Sequence, residues 1–71
     1  MAKLPLAIME KLLKEAGAKR VSQDAKEALA EVLEDYALEL GKDAALFSEH
    51  AGRKTVRKGD VKLAAKKIEK P

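Results

Sequence analysis

An all-α domain of three helices, short, long and short, is what the sequence predicts, and three observations predict it. From Ser22 to His50 there is no proline, and Gly41 is the only glycine. Through that stretch apolar residues return at three- and four-residue steps, the period of an α-helix. Strand patterns are absent, apart from short connectors around Val21 and Val56 in which one or two residues could join a β-bridge. The chain, residues 1–71, reads as a single domain with helices at about 5–16, 23–50 and 58–69.

The first helix opens at Leu4-Pro5, where proline suits the first turn, and Gly17 can provide its C-cap. Leu6, Met9, Leu13 and Ala16, widened by Ile8 and Leu12, give it one apolar face. Ala18–Val21 is a short basic connector. Ser22 is a good N-cap for the second helix, and Asp24 puts an acid near the positive end of its dipole. The apolar positions of that helix are Ala25, Ala28, Leu29, Val32, Leu33, Tyr36, Ala37, Leu40, Ala44 and Phe47. At 1.5 Å per residue it is about 42 Å long, and Gly52 stops it. The third helix has Asp60 in its first turn and lysines in its last, which suits both ends of the dipole. Val61, Ala64, Ala65 and Ile68 are its inner face.

Two helices of about a dozen residues cannot cover a continuous stripe along a helix more than twice as long. A second copy crossing the first would cover it. Seventy-one residues also lie near the lower limit for a self-sufficient core, and with no cysteine there is no disulfide to compensate. A monomeric bundle with the long helix broken at Gly41 is the weaker reading, because an internal glycine costs only about 1 kcal/mol relative to alanine.

Charge is segregated. Residues 1–21 carry five cations and two acids, residues 22–51 two cations and eight acids, and residues 52–71 eight cations and two acids. Surfaces that serve solubility alone interleave the signs, so basic ends around an acidic middle point to a polyanion met by the ends. No apolar run approaches a membrane span or a signal-peptide core, so a soluble, cytoplasmic protein is expected. One histidine and no cysteine give no reason to expect a metal, and no cofactor is expected. Ser22, Ser48, Thr55 and Tyr36 lack a nucleophile–base constellation, so no catalytic role is assigned. Tyr36 and Phe47, the only aromatics, fall on the apolar face of the long helix, which argues against stacking platforms for single strands.

The segment "HAGRKTVRKGD" at 50–60 packs four cations into eleven residues. It is no P-loop. That motif places glycine directly before the lysine, whereas Arg53 intervenes here, and the position five residues before Gly52 is Phe47.

"LPLAIMEKLLKEAGAKRVS" at 4–22, "HAGRKTV" at 50–56 and "DVKLA" at 60–64 together resemble the small archaeal histones over almost the whole chain. The most specific piece is "AGAKRVS" followed about thirty residues later by "HAGRKT". The resemblance implies a histone fold and an intertwined handshake dimer in which two long helices cross antiparallel. The first connector of one chain would then lie beside the second of its partner, with the amino ends of the two first helices between these basic surfaces. It implies binding, bending and wrapping of double-stranded DNA with little sequence specificity, compaction of the chromosome into nucleosome-like particles or superhelical fibres, and partners limited to DNA and other histone chains.

Residue by residue, the resemblance implies that Arg20 enters the minor groove and that Lys11, Lys14, Lys19, Arg53, Lys54, Thr55 and Arg57 contact DNA. Arg53 and Asp60 resemble an intrachain ion pair that clamps the second connector to the third helix. Phe47, Glu49, His50, Asp60 and Leu63 resemble the contact between dimers, and Gly17 the close approach of successive superhelical turns. Lys58, Lys62, Lys66, Lys67 and Lys70 are expected to give general electrostatic support. Five positions depart from the family pattern: Ile8 for a common proline, Lys11 for a common arginine, Phe47 for an aliphatic, Glu49 for a base and Gly59 for an acid. Glu49 is expected to weaken or reshape contact between dimers. Two other readings compete: a histone-fold subunit of a transcription-related complex that scarcely touches DNA, and a basic RNA-binding helical protein.

Overall fold

The computed structural model describes residues 3–69, so Lys70 lies outside the described residues. Three helices are present: α1 at Leu6–Glu15, α2 at Gln23–His50 and α3 at Lys58–Glu69. No described residue, Val21 and Val56 included, is in a strand or bridge. α1 begins one residue later than its sequence suggests. Pro5 keeps an extended ψ of 128° and acts as the N-cap, its carbonyl accepting the Met9 N–H. The chain forms two compact units, Met1–Asp35 and Tyr36–Pro71.

Within the first unit, one row of α2 meets α1 and the segment before it. Lys26 Nζ reaches Glu10 of α1 at 3.1 Å, Ala30 is fully buried, and Glu34 accepts the Lys3 N–H at 2.6 Å. These three positions are spaced by four residues and so share one side of α2. Partners ordered 10 then 3 along that row mean that α1 runs antiparallel to it. Met9 is the buried side chain that α1 contributes.

The second unit repeats the scheme. Ala44 and Ser48, again four apart, are buried on α2, and Ala64 is buried on α3. Lys67 reaches Asp43 at 3.4 Å, so α3 also folds back along α2. The fully buried positions of α2 on these rows are therefore small: Ala30, Ala44 and Ser48. The large apolar residues of α2 lie elsewhere, with Val32 63% and Tyr36 39% exposed. Ala25, Ala28 and Ala37 are exposed as well, while Leu29, Leu33, Leu40 and Phe47 are half-buried.

Both internal helix ends are closed by the same device. After α1, the Gly17 N–H bonds to the Lys14 carbonyl and the Ala18 N–H to that of Leu13. After α2, the Gly52 N–H bonds to Glu49 and the Arg53 N–H to Ser48. This paired pattern needs a left-handed residue after the cap, and Gly17 and Gly52 supply it at φ 119° and 73°. α2 opens on Ser22, whose Oγ accepts the Ala25 N–H at 3.1 Å. A Cβ added at Gly52 would touch nothing within 4 Å, so its cost is backbone strain alone. Gly52→Ala should destabilise the protein by about 1–2 kcal/mol, read as a lower urea midpoint with an unchanged slope.

Candidate nucleic-acid interface

The second connector is held by three side chains of the second unit. Asp60, 7% exposed, takes both arms of the Arg53 guanidinium, at 2.9 Å through Oδ1 and 3.0 Å through Oδ2. The same Oδ2 accepts the Arg57 N–H at 2.8 Å, so Asp60 also closes the first turn of α3. The clamp and the helix cap are one carboxylate. Arg53 Nη1 also donates to the Thr55 carbonyl at 2.7 Å. The third anchor is Ser48, whose buried Oγ donates to the Thr55 carbonyl at 2.9 Å and lies 3.3 Å from that of Arg53.

The bonds from Arg53 and from the Arg57 amide hold the Asp60 carboxyl below its ordinary value of 3.8, and Arg53 is in turn held more firmly protonated. Glu10 is lowered from 4.5 by its bonds to Lys14 and Lys26.

The DNA-contact residues read from the sequence fall into two groups. Lys11, Lys19, Arg20, Lys54 and Arg57 are exposed, and none makes a salt bridge among the described residues. Thr55 is exposed as well. Lys14 and Arg53 are committed, the first to Glu10 at 3.0 Å and the second to Asp60. Arg53 is therefore mainly a buttress, its charge offset by its partner.

Of the residues read as contacts between dimers, Phe47 and Leu63 line one open groove with Lys66 and Lys67. Glu49 and His50 are exposed at the end of α2, whereas Asp60 is buried against Arg53. Gly17 is exposed, with nothing within 4 Å of an added Cβ.

Sequence reading missed Ser48, Glu34 and the Glu10–Lys26 pair. Ser48 alone left a trace, a small polar residue four positions after Ala44 on a helix otherwise apolar along that row.

Residues 2–65 match the family described as histone-like transcription factor (CBF/NF-Y) and archaeal histone. One of the chains of the archaeal histone HAN1 from Thermococcus zilligii is 59% identical over 66 residues, 93% of this chain and 98% of that one. The chain belongs to the archaeal histone family. A second relative, probable archaeal histone 3 of Methanocaldococcus jannaschii, is 48% identical over 64 residues, 90% of this chain and 96% of its own length. Both relatives are named as histones rather than enzymes. The function is that of an archaeal histone, DNA binding by a histone fold that dimerises. No helix among the described residues is long and apolar enough to cross a membrane.

A folded carboxyl below its unfolded value stabilises above the unfolded value, and that contribution is lost as pH falls toward the folded one. The melting temperature should therefore drop as pH is lowered through about 4. Asp60→Asn should melt lower at neutral pH and show a shallower acid limb in a series of thermal scans.

Proposed function

We propose that this histone works as a homodimer that bends and wraps duplex DNA with little sequence specificity, associating with the chromosome in the cytoplasm. The observation that carries the reading is the set of exposed cations at the two connectors that make no ion pair among the described residues: Lys19 and Arg20 in one, Lys54 and Arg57 in the other. Phosphates bind such groups without reading bases, and a long planar cation such as Arg20 fits a narrowed minor groove. Lys11, Lys14 and Thr55 add phosphate contacts, while Arg53 holds the second connector in place and contributes little free charge.

A second copy of the chain supplies the missing cover for Ile8, Leu12, Val32, Tyr36 and Val61, all large apolar side chains left exposed. Contact between dimers uses the Phe47–Leu63 groove with Glu49, His50 and Asp60, and Gly17 permits close stacking of successive turns. Association as an adaptor that avoids DNA is disfavoured by the exposed connector cations.

If about four cations per chain neutralise phosphates, the dimer should show a slope of about −7 in log affinity against log salt. Titrations on mixed-sequence duplex test this, and affinity that barely changed with salt would contradict it. Arg20→Ala should reduce DNA bending and compaction while moving stability by less than about 0.5 kcal/mol; nuclease protection and a thermal melt on the same sample read both.

A further inference from the structure

A serine inside a helix, as Ser48 is in the last turn of α2, usually faces solvent or bonds back to its own turn. Ser48 does neither. It is 2% exposed, and its hydroxyl is spent on the second connector, chiefly on the Thr55 carbonyl at 2.9 Å with the Arg53 carbonyl at 3.3 Å. Its own carbonyl accepts the Arg53 N–H at 3.0 Å.

The consequence lies in the peptide planes. No peptide bond among the described residues is cis, and in a planar trans peptide the carbonyl and the following N–H point in opposite directions. Drawing the Thr55 carbonyl toward α2 therefore sends the Val56 N–H away from it. Drawing in the Arg53 carbonyl does the same for the Lys54 N–H. Neither N–H has a hydrogen-bond partner among the described residues, and Lys54, Thr55 and Val56 are all exposed. On either side the pattern reverses, with the Arg53 N–H turned in to Ser48 and the Arg57 N–H turned in to Asp60. Two outward donors thus stand beside the Lys54 ammonium and the Thr55 hydroxyl. Outward N–H groups with an adjacent cation suit phosphate oxygens.

We propose that Ser48 is a positioning residue for DNA contact: its buried hydroxyl sets the peptide planes of residues 53–56 so that the Val56 and Lys54 N–H groups face the phosphate backbone. The inference rests on the DNA-binding reading above and deepens it.

The test compares the full chain with its Ser48→Ala variant on mixed-sequence duplex by fluorescence anisotropy across a salt series, well below either melting temperature. Loss of one positioning bond should weaken binding about five-fold. The salt slope should stay the same, because every cation remains. Equal affinities would overturn the proposal, and so would a changed slope, which would mean that cations rather than peptide planes had moved. Hydrogen exchange on the wild-type chain gives a second readout that requires no variant to fold. The Lys54 and Val56 amides should slow when duplex is added, and unchanged exchange at both would overturn the assignment. A wild-type chain that ignored duplex altogether would sink the DNA reading itself, and this inference with it.

Discussion

The constraint on which everything else depends is that α2 carries more apolar surface than its own chain covers. The buried positions on the rows that meet α1 and α3 are Ala30 in one unit and Ala44 and Ser48 in the other. Small residues let helices approach closely but bury little area. Among the described residues the buried apolar side chains are Met9, Ala30, Ala44 and Ala64, and no large one is fully enclosed. Covering a valine, leucine or tyrosine is worth about 1.5–3 kcal/mol. Five such residues, Ile8, Leu12, Val32, Tyr36 and Val61, are each about half covered already, so enclosing the rest represents on the order of 5 kcal/mol, at the lower end of the whole stability of an ordinary domain. A histone chain that left them in water would forgo that stabilisation, and for this reason dimerisation and folding are one problem here.

That constraint frees the ends of the long helix for another purpose. The connectors need only local scaffolding, and the sequence provides it within a few residues of each helix end. Gly17 and Gly52 close the helices, Ser22 opens α2, and Asp60 opens α3 while gripping Arg53. Charge is divided accordingly. Lys14, Lys26, Arg53 and Lys67 sit in ion pairs with Glu10, Asp60 or Asp43, whereas Lys11, Lys19, Arg20, Lys54 and Arg57 make none among the described residues. Glu10 and Asp60 belong to the same terminal segments as Lys14 and Arg53, so these pairs leave the net excess of cations in those segments as counted.

Sequence made the helices and their stops legible because these depend on local rules. Period, capping residues and glycines act within a turn or two, and Pro5 was misplaced only in becoming the cap itself rather than the first helical residue. Which face of α2 packs inside the chain was not legible in that way. The apolar stripe from Ala25 to Phe47 suggested one core, yet of that stripe only Ala44 is buried within the chain, beside Ala30 and Ser48, while Val32 and Tyr36 stay exposed. Hydrophobicity alone cannot distinguish buried from exposed positions here, since the buried positions of α2 are small residues with weak transfer energies. The contact from Lys3 to Glu34 spans 31 residues and uses a backbone donor, so no side-chain pattern announces it. Placement of the exposed site residues was supplied by family resemblance rather than by periodicity.

Asp60 shows how tightly these roles are coupled. An ionised carboxylate offers about four lone-pair positions. Three are occupied within the chain: two on Oδ2, by Arg53 and by the Arg57 amide, and one on Oδ1, by Arg53. A histidine from another copy would have to approach the remaining lone pair of Oδ1, on a side chain that is only 7% exposed. Such a contact is a charge-assisted bond to an already neutralised pair, weaker than one to a free carboxylate. In the proposed contact between dimers the apolar Phe47–Leu63 groove, lined also by Lys66 and Lys67, would then supply most of the attraction. For that proposed contact, the groove therefore weighs more than any approach of His50 to Asp60, whose carboxylate is already engaged by Arg53 and the Arg57 amide.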